Sequence, residues 1–369
     1  MALRVNGKVV TPTGVVRQGC VELDGDRITA VAEYPSARDG HWIVPGFVDM
    51  HTHGGGGHTF TTGDADSARQ AASFHLGHGT TTLLASLVSS PYELMRDATA
   101  AFRPLVEEGV LAGVHFEGPY LSSARCGAQN PEFLRDPSTD ELAALIELGG
   151  GAVRMVTLAP ERDGALEAIK LLTAHRVVAA VGHTDATYDQ TRAAVAAGAS
   201  VGTHLFNGMR PVHHREPGPV VALLDAPSVV CELVADGVHL HAGMLTFATS
   251  TAGPERAALI TDAMAAAGMP DGEYELGGQS VTVADGVARL ARDGAIAGST
   301  LTMDAALRHA VHAGIPMADA CRMVATTPAR AIGLGDRVGA LQVGLRADLV
   351  VLDEDLNVVR VMKGGSWVE

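Results

Sequence analysis

Gly46-Phe47-Val48-Asp49-Met50-His51-Thr52-His53 carries two signals at once: an apolar run that reads as a buried strand, and two imidazoles two residues apart at its end. Side chains alternate along a strand, so His51 and His53 fall on one face, directed inward from a strand predicted over 46–50. Seven further stretches of the same kind follow, over 80–85, 111–116, 153–158, 177–181, 200–205, 229–235 and 257–261. They are rich in Val, Leu, Ile and Ala, as expected of parallel strands buried on both faces, and amphipathic helical sequence separates them. Eight βα units over about 250 residues suit a closed (β/α)8 TIM barrel better than an open sheet.

On either side of these units the sequence changes character. Residues 1–44 and 335–369 alternate short apolar and polar runs with turn signals such as Asp24-Gly25 and Lys363-Gly364-Gly365. The two ends are expected to combine into one small β-sandwich domain, leaving 45–334 as the barrel. A polar, hairpin-like insert is expected over 272–290, after the eighth strand.

With 47% hydrophobic and 19% charged residues in 369, the chain can bury a large core. Lys and Arg number 27 against 42 Asp and Glu, a formal net charge of −15, and the basic residues form no block. Nucleic acid and anionic membrane are therefore not expected as partners. Residues 1–14 hold no signal-like apolar core, and no window reaches the roughly 18 apolar residues of a membrane span, so the cytoplasm is the expected location. Cys20, Cys126, Cys231 and Cys321 lie too far apart for a thiolate zinc motif and read as free thiols.

In a barrel the chemistry sits where strands end. Here those ends read His51-Thr52-His53, His115-Phe116-Glu117, Gly182-His183-Thr184, Thr203-His204-Leu205, Asp236-Gly237-Val238-His239 and Thr261-Asp262-Ala263. A lone buried His is more often a hydrogen-bonded core residue than a ligand. Ligand-type side chains at several strand ends on one level are much harder to explain by chance. Imidazole with carboxylate suits zinc or another divalent transition metal. Such an ion lowers the pKa of bound water to about 7 and polarises a carbonyl. Asp262 can take the water's proton and return it to a leaving nitrogen, which is hydrolysis of an amide or related C–N bond.

Taken in order, H-T-H (51–53), H-F-E-G-P (115–119), G-H-T (182–184), T-H-L-F-N-G-M (203–209), A-D-G-V-H (235–239) and T-D-A-M (261–264) resemble the amidohydrolase superfamily. Within it, they are similar to the N-acetylglucosamine-6-phosphate deacetylase family over the whole chain. The resemblance implies hydrolysis of N-acetyl-D-glucosamine 6-phosphate to D-glucosamine 6-phosphate and acetate. It also implies that Glu117, His183 and His204 hold one metal, that His51 and His53 hold a second bridged through Glu117, and that Asp262 is general base and acid. One or both sites can be filled.

Substrate contacts implied by the same resemblance are Ala128, Gln129, Asn207, Gly208, Arg215, Asp236, His239, Ile296, Ala297 and Gly298. Arg215, in Pro211-Val212-His213-His214-Arg215-Glu216-Pro217, would clamp phosphate in the neighbouring subunit of a homodimer; the plainer reading pairs it with Glu216 or another surface acid. Gln129 departs from the family's usual His, and Cys126 from its frequent Lys; Gln129 donates through an amide but carries no charge. Cys126 is either oxidisable or incidental. Gly54 to Gly57 form no nucleotide loop and are expected to let backbone pass close to the metal site. Two rivals stay open: another amide hydrolase or deaminase of the superfamily, which has no use for a phosphate clamp, and a non-catalytic barrel scaffold, which has no use for metal.

Overall fold

The computed structural model describes residues 3–35 and 40–369; residues 1–2 and 36–39 of the expected terminal segment 1–44 lie outside the described residues. Eight parallel strands form the central sheet in chain order: Phe47–Thr52, Thr80–Leu87, Gly113–Glu117, Val153–Leu158, Val178–Val181, Val201–Gly202, Val230–Val234 and Ala257–Ile260. The last strand returns to the first through backbone bonds from Asp262 N to His51 O (2.9 Å) and from His53 N to Ala263 O (2.7 Å). Asp49 reinforces this seam, its carboxylate accepting from the Thr261 hydroxyl at 2.6 Å and from the amides of His51 and Thr261. The barrel expected from the sequence is therefore present and closed.

Helices pack outside the strands and are stopped by local chemistry. The helix Tyr188–Ala197 begins at a reciprocal cap between Thr187 and Gln190 and ends at Gly198, whose φ of 119° few side chains tolerate. The sixth strand is shorter than the sequence reading over 200–205. Regular pairing stops after Gly202, where the Glu232 side chain takes the His204 amide at 3.1 Å and His204 turns to a φ of 25°, although the Leu205 amide still reaches the Glu232 carbonyl at 2.8 Å.

The terminal segments make one seven-stranded, largely antiparallel sheet separate from the barrel sheet, in the order Ser366–Trp367, Val358–Lys363, Leu349–Leu352, Trp42–Pro45, Leu3–Thr11, Gly14–Asp24, Arg27–Glu33. Register shifts within three of its strand pairs let it curl over its own apolar interior, where Val21 and Ile28 from one end meet Leu349 and Met362 from the other. The insert is three strands rather than a hairpin: Gly272–Leu276, Gln279–Ala284 and Val287–Leu290. Its exposed face is polar, but Leu276, Val281, Val283 and Leu290 are buried against Val88 and Met264 beside the barrel mouth. Among the described residues no helix is long and apolar enough to cross a membrane.

Candidate active site

At the C-terminal ends of the strands, the ligand-type side chains converge in two buried groups: His51, His53 and Asp262, and Glu117, His183 and His204. Within each group the ligand atoms lie within 4.8 Å of one another. The barrel seam brings the first group together, since strands one and eight are distant in sequence and adjacent in space. Glu117 joins the groups: Oε1 stands 2.9 Å from the Nε2 atoms of His183 and His204, and Oε2 3.3 Å from Nε2 of His53.

All four imidazoles are oriented alike. Nδ1 of His51 faces the Glu232 carboxylate at 3.0 Å, that of His53 the Ser86 carbonyl at 3.1 Å, that of His183 the Arg125 carbonyl at 2.9 Å and that of His204 the Asn207 carbonyl at 3.1 Å. Each acceptor calls for a proton on Nδ1 and leaves Nε2 turned toward the centre, the orientation of metal-bound histidine. Nε2 of His51 then meets Nε2 of His53 at 3.2 Å, and Nε2 of His183 meets that of His204 at 3.1 Å. Two imidazole lone pairs at such distances require a proton or a cation between them.

The charge balance points the same way. Glu117, Glu232 and Asp262 are buried with no Lys or Arg ion pair among the described residues, so imidazoles and carboxylates face one another alone. Burial pushes the Glu117 and Asp262 carboxyls up, but the surrounding imidazoles outweigh it. Glu117 falls well below its ordinary value, and Asp262, bonded to His53 at 3.2 Å, falls to about 2. This donor set fits a divalent transition metal, in one or two sites.

Three of the inward residues are strained. His183, His204 and Asp262 have φ of 45°, 25° and 50°, in the left-handed region where a non-glycine side chain costs of order 1–3 kcal/mol. Their strands end in sharp turns that aim these side chains across the barrel mouth.

Beside the two groups lies a cavity of about 210 Å³. Of the expected substrate contacts, Ala128, Gln129, Asn207, Gly208, His239, Ile296 and Gly298 line it. Asp236 does not; it holds His239 from behind, with Oδ2 2.7 Å from Nδ1, and Nε2 of His239 comes to 3.8 Å from Asp262. Ala297 is fully buried in the apolar cluster beneath the insert and does not reach the cavity. Arg215 is exposed and lines a separate cavity with Tyr188 and Arg210, its guanidinium 2.8 Å from Nε2 of His214. Gln129 is held at both ends: its amide donates to Glu117 at 2.6 Å and accepts from the Ser89 amide at 2.6 Å, while the residue lines the cavity.

Sequence reading passed over several members of the site. Glu232 positions both His51 and His204, Val88 and Leu276 supply apolar wall, and Gly127 lines the mouth. His115 is not a member of either group; it bonds Ser86 and Thr157 beneath the site, and burial then the charge on His51 keep it from protonating. Gly54 and Gly55 make room for the His58 carbonyl and for Phe74 and His75 rather than for the metal groups.

Comparison with known proteins agrees with this geometry. The amidohydrolase family pattern matches residues 42–368. The crystal structure of N-acetyl-D-glucosamine-6-phosphate deacetylase from Mycobacterium smegmatis, an Asp-to-Ala mutant in complex with N-acetyl-D-glucosamine 6-phosphate, superposes with a TM-score of 0.96 at 48% identity, covering 99% of each chain. N-acetylgalactosamine-6-phosphate deacetylase of Escherichia coli O157:H7 is 39% identical, covering 98% of this chain and 96% of its own. N-acetylglucosamine-6-phosphate deacetylase of Bacillus subtilis is 35% identical, over 97% and 94%. A match over nearly the whole chain, with the strand-end imidazoles and carboxylates facing one mouth, leaves one assignment: the chain belongs to the amidohydrolase family.

Proposed function

We propose that this protein is a metal-dependent hydrolase that removes acetate from N-acetyl-D-glucosamine 6-phosphate, giving D-glucosamine 6-phosphate. The observation that carries the reading is Asp262, which faces both the ligand groups and the adjoining cavity, in a chain similar along its length to a deacetylase crystallised with that sugar phosphate. Glu117, His183 and His204 would hold one divalent metal and His51 and His53 a second, zinc being favoured by the imidazole and carboxylate donors. Such an ion supplies Lewis acidity, acidifying water to a pKa of about 7 and polarising the amide carbonyl.

The chain's own residues do the rest. Asp262, held ionised, accepts the proton of the attacking water and passes it to the amide nitrogen as the C–N bond breaks. His239, fixed by Asp236, presents Nε2 to the same mouth, where it can hold a sugar hydroxyl. Gln129 fixes the second oxygen of Glu117, while Val88 and Leu276 keep the reacting end poor in water. Arg215 lies outside this cavity, which supports its use by a neighbouring subunit of a homodimer as the phosphate clamp. The proposed location is the cytoplasm, where a phosphorylated sugar is retained.

The test is acetate release by metal-replete protein from N-acetylglucosamine 6-phosphate, with the galactosamine epimer and the unphosphorylated sugar in parallel. Turnover of the glucosamine phosphate is expected to be fastest, to vanish on exhaustive chelation and to return with zinc. Activity that survives chelation would overturn the mechanism, and preference for either other sugar would overturn the substrate assignment.

A further inference from the structure

Opposite the candidate active site, the starts of neighbouring barrel strands meet the C-terminal segment around a second cavity, of about 90 Å³. Thr81 and Thr82 reach it from the start of Thr80–Leu87, Arg154 from the start of Val153–Leu158, and Arg337 and Arg346 from the segment leading into the terminal sheet. Three guanidinium groups thus converge in a chain whose net charge is −15. Of the three, among the described residues, only Arg346 has a carboxylate partner, bonding Asp348 through Nε at 2.7 Å and Thr82 at 3.0 Å. Among the described residues, Arg154 and Arg337 make no ion pair and no side-chain hydrogen bond, and Nε of Arg154 and Oγ1 of Thr81 are buried without partners.

The strand between them is shaped to admit Arg154. A Cβ on Gly113, the first residue of Gly113–Glu117, would stand 2.1 Å from Cγ of Arg154, so the missing side chain is what lets the Arg154 stem lie across the strand. Burial, then the charge of Arg337, lowers the Arg154 guanidinium from its ordinary value, the response expected when a like charge stands near without a counterion. A buried N–H without an acceptor costs about 1–3 kcal/mol.

We propose that this cavity binds a phosphate group, held by Arg154 and Arg337, and that the bound anion ties the barrel to the terminal sheet segment. Guanidinium forks match phosphate oxygens bidentately. The volume is several times the roughly 10–15 Å³ one water needs, enough for a single tetrahedral oxyanion and too small for an extended polyanion. Inorganic phosphate and the phosphoryl end of a small monoester offer the same chemistry.

The experiment is thermal unfolding of the holoenzyme in about 10 mM inorganic phosphate, with sodium chloride at equal ionic strength as reference and glycerol 3-phosphate as a second ligand. Wild type and Arg215→Ala are expected to gain about 2–4 °C in phosphate. Arg154→Met, which keeps the packed stem, and Arg337→Ala, at an exposed position, are expected to gain none while their kcat/KM stays within about twofold of wild type. An equal gain with glycerol 3-phosphate assigns the site to monoesters, and a gain with phosphate alone to the free ion; either upholds the site. No gain beyond chloride, or the full gain kept in both Arg154→Met and Arg337→Ala, overturns it.

Discussion

The two ends of the barrel use the same strands for opposite electrostatics. At the C-terminal end, among the described residues, buried carboxylates face imidazoles with no Arg or Lys ion pair, a donor set that fits a cation. At the N-terminal end, among the described residues, three arginines share one carboxylate, a surplus of positive charge that calls for an anion. The backbone differs too, for His183, His204 and Asp262 all take left-handed φ at the strand ends, whereas Arg154 keeps φ negative and enters where the register against Gly113–Glu117 shifts between Val153 and Met155. Catalytic geometry is built where the chain turns sharply, and a binding cleft can form where strands merely begin.

The largest effect that tests this polarity belongs to Asp262→Asn. It is expected to cut kcat by about a thousandfold or more while bound metal, measured by elemental analysis, stays near wild type. Near-normal kcat would remove the carboxylate from its role. Glu232→Gln comes next, because it takes away the charge that aligns His51. A loss of about 10- to 100-fold in metal affinity by chelator competition is expected, with little loss of folding stability; unchanged affinity would make Glu232 a mere spacer.

Arg215→Ala sharpens the picture from outside the barrel. KM for the phosphorylated sugar is expected to rise about tenfold or more, with the unphosphorylated sugar hardly affected. Equal losses on both would count against a phosphate contact. The smallest effect concerns His75, fully buried on the helix Ala65–Gly77 with Nε2 donating to the Gly54 carbonyl at 2.9 Å. Burial holds its pKa down at about 4. Below the unfolded value of about 6.5 the unfolded chain therefore takes a proton that the folded chain refuses, so stability falls as pH drops from about 6.5 toward 4. Urea unfolding at about pH 7.5 and 5 should show wild type losing about 2 kcal/mol more than His75→Gln. Parallel losses would show that His75 does not carry the acid sensitivity.

Two missed residues explain how far sequence reading reaches. Glu232 in Val230-Cys231-Glu232-Leu233-Val234 and Arg154 in Val153-Arg154-Met155-Val156 are each a lone charge inside an apolar strand. That anomaly was visible, but its meaning was not, because a buried charge is defined by its partner. Glu232 finds His51 from a strand far away in sequence, and Arg154 finds the like charge of Arg337. Likewise the insert over 272–290 reads as polar from its exposed face, while Leu276 and Val281 turn inward once the third strand forms.

By itself the sequence determined the succession of eight buried strands and the residue types at their ends, since side-chain alternation and apolar runs are local properties of the chain. Only the tertiary structure decided which of those ends converge, that Glu117 reaches both groups, that Arg215 lies outside the cavity, and that three arginines meet on the far side. These are distances between residues remote in the chain, fixed by closure of the barrel through the seam of Asp49, His51, Thr261 and Asp262.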